Sequence, residues 1–123
     1  MPTVRSYRDL EVWQLSMKLA RLCYDKTTRF PARETYGLAS QIRRAAVSVP
    51  SNIAEGHSRR TRQAFLNHLS IALGSQSELE TQIELSRDLG FLSEESAKEI
   101  LQVAEQVGRK LHALIRSLEE KQP

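Results

Sequence analysis

Glycine and proline are scarce in this chain, five and four among 123 residues. A many-turned β protein draws on glycine for positive φ and on proline for preset φ, so this supply argues against that class. Cysteine occurs once, at Cys23, inside an apolar helical pattern. It has no internal disulfide partner and reads as a buried core thiol. The histidines, His57, His68 and His112, are scattered, and no cysteine joins them at zinc spacing. The one close Glu/His pair, Glu55 and His57, stands two residues apart and does not share a helix face. No glycine-rich loop cradles phosphate, and nothing pairs an activated nucleophile with a base. The sequence therefore carries no sign of an enzyme, a metal or another cofactor. No apolar run approaches the length of a membrane span, and no signal-peptide pattern precedes Tyr7. A cytoplasmic location with no membrane partner is the expectation.

What is present is helical. The length suits one domain, 1–123, with one core, and the shortage of aromatics leaves aliphatic residues and alanine to fill it. After a short polar lead, Met1–Arg8, Asp9 reads as the N-cap of a first helix over 9–28, with Val12, Trp13, Ser16, Leu19, Ala20 and Cys23 as its stripe. The loop FPAR precedes a second helix over 35–56. Thr61 then caps a third helix over 61–89, stopped by Gly90. Gly74, Ser75 and Ser77 lie in its middle, where small residues let another backbone approach; Gly74 is expected to receive the second helix. Ser93 caps a fourth helix over 94–119, with Glu94 and Glu95 on its positive end. A heptad-like seam of Ala97, Ile100, Ala104, Val107, Leu111, Leu114 and Leu118 runs along it. Four long helices with short loops predict an all-α, up-down-up-down four-helix bundle.

The second helix is the unusual one. Leu38, Ile42, Ala45, Ala46, Val49 and Ile53 define one apolar face, yet Pro50 sits within it. An interior proline costs about 3 kcal/mol, removing a hydrogen bond and crowding the carbonyl four residues back. Ser48, Ser51 and Asn52 around it favour caps and turns. The helix either kinks near Ala46–Pro50 or breaks at Val49 and restarts; the unbroken phase of the apolar face favours the kink.

Charge is divided along the chain. Residues 1–62 hold 12 Lys/Arg against 5 Asp/Glu, a net of +7, and residues 63–123 hold 6 against 10, a net of −4. Such a division serves nucleic-acid binding, subunit pairing or both. The most concentrated basic set is Arg43, Arg44, Arg59, Arg60 and Arg62, a candidate footprint for RNA or DNA phosphate. No stacking aromatics interleave with these arginines, so binding would be led by shape and backbone. The alternative is that they pair with acidic residues of this or a neighbouring subunit, making the chain a protein–protein scaffold. The apolar surface exceeds what one bundle core needs, which marks an interface.

QIRRAAVSVPSNIAEGHSRR and the later FLNHLSIALGSQSELETQIELSRDLGFL resemble the four-helix-bundle proteins encoded in intervening sequences of bacterial 23S ribosomal RNA genes, and the leading YRDLEVWQLSMKLA is similar to that family's N-terminal pattern. The resemblance implies a four-helix bundle and assigns no catalytic role. A related fold is the accessory protein of diversity-generating retroelements, a basic five-subunit barrel that works with a reverse transcriptase. That likeness implies a cyclic homo-oligomer, a pentamer, and a nucleic-acid enzyme as a further partner. The first family motif covers Ser48, Pro50, Asn52, Glu55 and Gly56 here, together with Arg44. The second covers Gly74, Ser75, Glu78 and Glu80. Of these, Asn52, Glu55, Ser75 and Glu78 are expected to join the second and third helices by hydrogen bonds.

Overall fold

The structure, a computed structural model, describes residues 6–121. Met1–Arg5 of the polar lead and the last two residues lie outside that range. Four helices follow one another: α1 over Glu11–Thr27, α2 over Leu38–Ser58, α3 over Arg62–Asp88 and α4 over Glu94–Glu120. Each packs on its neighbours in the chain, and α1 closes the set against α4, the arrangement of an up-and-down bundle. The longest helices, α3 and α4, reach about 40 Å at 1.5 Å per residue.

The predicted caps hold at three helix ends and fail at one. Thr61 accepts from the Ala64 N–H at 3.1 Å, and Ser93 accepts from the Ser96 N–H at 3.0 Å. Gly90, at φ 84°, ends α3 in a Schellman motif: its own N–H donates to the Arg87 carbonyl and the Phe91 N–H to the Ser86 carbonyl. Asp9, however, is not the N-cap of α1. Its carboxylate accepts from the Ser6 N–H at 3.2 Å and so closes a capping box around a separate 3-10 turn, Tyr7–Asp9. Leu10, extended and without a side-chain cap bond, precedes α1 instead. Helix α2 likewise starts later than residue 35, because Ala32–Glu34 forms its own 3-10 turn after Pro31. From that turn the Glu34 carboxylate reaches forward and accepts from the Leu38 N–H at 3.0 Å, capping α2 at a distance. A methyl at Gly37 would sit 2.8 Å from that carboxylate oxygen, so glycine leaves the space the cap uses.

Helix α2 runs through Pro50 without a break at Val49. Its apolar face stays in register, and Ile42, Ala46, Val49 and Ile53 are fully buried. They meet Leu19 and Cys23 of α1, Leu69, Leu79 and Ile83 of α3, and Ile100, Val107 and Leu111 of α4 in one core. Burial pushes the Cys23 thiol up to about 12.

Gly74 does not receive α2. It is exposed, and a methyl placed on it would meet nothing within 4 Å. The close approaches fall at other glycines. A methyl on Gly56 of α2 would stand 2.6 Å from the His68 Cβ of α3, and one on Gly108 of α4 would stand 2.7 Å from the Gln76 Nε2 of α3. The residue of the small cluster that does face α2 is the next one, Ser75.

Candidate nucleic-acid interface

The five arginines do not form one cluster. Fifteen residues of helix separate Arg44 from Arg59, a distance of about 22 Å along α2. They divide into a pair near the start of α2 and a trio at the α2–α3 turn. Within the first pair, Arg43 is half-buried and committed to α1. Its Nε donates to Thr27 Oγ1 at 2.9 Å, an Nη donates to the Tyr24 carbonyl at 3.4 Å, and the guanidinium stacks 4.8 Å from the Tyr24 ring centre. Arg44 is exposed and forms no ion pair among the described residues.

At the turn, Arg59 closes an ion pair with Glu55 one helical turn back, at 2.9 Å. That bond, followed by the charge of His68, holds the Glu55 carboxyl below its ordinary range. Both partners are exposed, so the pair adds little to stability. Arg60 occupies the left-handed region at φ 68°, where a side chain other than glycine costs about 1 kcal/mol. It is exposed and, like Arg44, unpaired among the described residues. Arg62 opens α3, and its Nη1 donates to the Lys121 carbonyl at the far end of α4, 3.2 Å away, while its buried Nε has no partner.

Four residues that the sequence motifs single out or adjoin form a polar seam between α2 and α3. Ser48 and Ser75 share a hydroxyl–hydroxyl bond of 2.7 Å. The Asn52 amide donates to the Ser48 carbonyl at 2.9 Å and to its Oγ at 3.1 Å, and its Oδ1 lies 3.0 Å from His68 Nδ1. With the amide nitrogen donating to Ser48, Oδ1 accepts from the His68 ring. Asn52 and Ser75 thus join the helices as expected. Glu55 instead pairs along its own helix, and Glu78 is exposed on the outer side of α3. His68 was not anticipated; its place seven residues after Thr61, beside Leu69 of the core face, is the only trace of it in the sequence.

Half-buried Glu80 of α3 has its carboxyl raised, by burial first and then by Glu84 and by Glu105 of α4. Among the described residues no group of three His, Cys, Asp or Glu is placed to hold a metal ion. No helix among them is long and apolar enough to cross a membrane.

These features define an all-α bundle with a serine–asparagine–histidine seam and dispersed arginines. The family model of the 23S rRNA-intervening sequence protein matches residues 8–113, and the chain belongs to that family. Among solved structures it is similar to a protein of unknown function from the S23 ribosomal protein family of Bacteroides thetaiotaomicron. The TM-score is 0.78 at 24% identity, covering 85% of this chain and 95% of that one, a likeness of fold. No curated protein matches the sequence.

Proposed function

We propose that this chain is a non-enzymatic, self-assembling bundle that binds nucleic acid, RNA or DNA, or a nucleoprotein through Arg44, Arg59, Arg60 and Arg62. The observation that carries the reading is Arg60. An arginine occupies a left-handed turn position that glycine would adopt at less cost, and it is exposed, as is Arg59 before it in the chain. Arg43 fixes the start of α2 to α1, one residue before Arg44. The assembly is a cyclic homo-oligomer, a pentamer, working in the cytoplasm, with a nucleic-acid enzyme as a further partner. In it α2 is bent at Pro50.

Affinity for structured RNA and for duplex DNA across a salt series tests the reading. Four neutralised phosphates on duplex give a log–log slope of about −4. Replacing Arg44 and Arg60 with glutamine should flatten it by about two. Absence of binding at low salt, or a slope unmoved by these substitutions, would overturn the nucleic-acid role.

A second reading, a scaffold whose charges serve assembly alone, draws on the prior engagement of three of the five arginines, Arg62 being bound to the Lys121 carbonyl. Arg43 is bound to Thr27 and Tyr24, and Arg59 to Glu55. It predicts an assembled particle with no affinity for polyanions at low salt.

A further inference from the structure

A shallow apolar groove of about 500 Å³ lies between the outer faces of α1 and α2. Trp13, Met17 and Tyr24 form one wall and Val47 and Pro50 the other, with Tyr7 at one end stacked edge-on to Trp13 at 5.3 Å. Large apolar side chains here remain open to solvent: Tyr24 is 46% exposed and Val47 41%. No acidic residue lines the groove. Its charges are all basic: Arg21 lines it, and Arg8 and Arg43 stack on the Tyr7 and Tyr24 rings at 4.6 and 4.8 Å; Arg21 makes no ion pair among the described residues.

The same chain carries a surface of opposite character. Ile71, Glu78 and Leu85 recur every seven residues along the outside of α3, so they stand in one row. Ile71 is 52% exposed and Leu85 47%. Every charged residue that is exposed on α3 is acidic: Glu78, Glu84 and Asp88. Arg87 is shared between the last two through ion pairs of 3.9 and 3.5 Å, while Glu78, midway between the two apolar side chains, forms no ion pair among the described residues.

We infer that the groove of one protomer receives the outer row of α3 from a second copy, with Arg21 meeting Glu78 and the contact running head to tail. The inference rests on the reading of the chain as self-assembling and adds which two faces meet. An apolar groove bordered only by cations and an apolar ridge whose exposed charges are all acidic complement each other in both respects, while two grooves or two ridges would oppose like charges. Because the two faces differ, one contact leaves a free groove at one end and a free ridge at the other, as a heterologous interface requires.

Head-to-tail pairing has a specific test. Val47→Glu spoils only the groove, and Ile71→Glu with Leu85→Glu spoils only the ridge; all three sites are exposed, so the bundle core is untouched. Light scattering at low micromolar concentration should find each variant alone near the 14.0 kDa monomer mass. An equimolar mixture should give a species of twice that mass, since one intact groove and one intact ridge remain. Variants that keep the wild-type assembly, or a mixture that stays monomeric, would overturn the pairing while the self-assembly reading stands. A wild-type protein that is itself monomeric would remove both. Should either variant misfold, Val47→Cys combined with Ile71→Cys provides the second measurement. A short bismaleimide should link this protein into a ladder and link neither single-cysteine variant, Cys23 being buried; the absence of a ladder overturns the pairing.

Discussion

Asn52 and His68, sixteen residues apart and on different helices, meet at 3.0 Å, and the other side of the Asn52 amide is held by Ser48. This makes the Ser48–Asn52 pair, directly around Pro50, the point at which α2 is locked to α3 by polar bonds. The bonds are half-buried, so each contributes about 1 kcal/mol, and they share partners. Asn52→Ala should therefore cost about 1–2 kcal/mol in urea unfolding. Ser48→Ala and Ser75→Ala should cost together less than the sum of the two, because either alone breaks their common bond. Full additivity would show that the two hydroxyls act independently.

The glycines give a contrasting pair. Gly56→Ala drives a methyl to 2.6 Å from His68 Cβ and 3.1 Å from Phe65 Cδ1. The resulting overpacking should outweigh the helix-propensity gain and destabilise the fold by about 1–3 kcal/mol. Gly74→Ala meets nothing within 4 Å and should stabilise by up to about 1 kcal/mol. Thermal midpoints moving in the same direction for both would contradict this assignment of the close approach.

The two glycines also show what was legible in the sequence. Apolar periodicity placed all four helices and most of the core, since burial obeys the helical repeat. Thr61, Ser93 and Gly90 declared their ends because cap chemistry is local. Gly74 misled because a glycine in mid-helix signals a close approach without saying on which face, and one residue of rotation separates it from Ser75. The arginines misled for a related reason: closeness in sequence groups Arg43 with Arg44, yet 100° of helical turn sends one to Tyr24 and the other to solvent. The Arg43–Thr27 and Asn52–His68 contacts depend on how helices are rotated against each other, which no single-helix pattern encodes.

Pro50 lines the groove and is buried, and α2 passes through it uninterrupted. Pro50→Ala restores an N–H that can donate to the Ala46 carbonyl. If, as proposed, the packing holds a bend at the proline, stability should rise by less than about 1 kcal/mol, well short of the roughly 3 kcal/mol that an interior proline costs in an unsupported helix. A gain near the larger figure would show that packing does not require the bend proposed here.

Cys23 supplies a pH dependence. Its thiol ionises at about 12 in the folded chain against an ordinary value of 9.0, because burial disfavours the thiolate. The folded state therefore holds its proton where the unfolded state releases it. The stability this contributes is complete below pH 9.0 and declines as pH rises toward about 12. Cys23→Ala should flatten the alkaline limb of a thermal-midpoint profile. The native protein should also resist iodoacetamide at pH 8 and react once unfolded in urea. Rapid labelling of the folded chain would contradict the burial.

Gln76 and Gly108 are matched across α3 and α4. The buried Gln76 amide donates to the Ala104 carbonyl, one helical turn before Gly108, and its Oε1 has no partner. The side chain reaches that carbonyl only because residue 108 has no Cβ: a methyl there would stand 2.7 Å from Nε2. Gly108→Ala alone should thus destabilise by about 1–3 kcal/mol despite favouring the helix. Gln76→Ala alone should also destabilise, by opening a cavity, although it removes an unsatisfied buried acceptor. Combined, the new methyl at 108 enters the space that the amide vacates. The double variant should then be more stable than the sum of the single changes, by about 1 kcal/mol or more in a double-mutant cycle of urea unfolding. Simple additivity would mean that α3 and α4 relax around Gly108 independently of Gln76, and the close fit of these two residues would not be what sets their spacing.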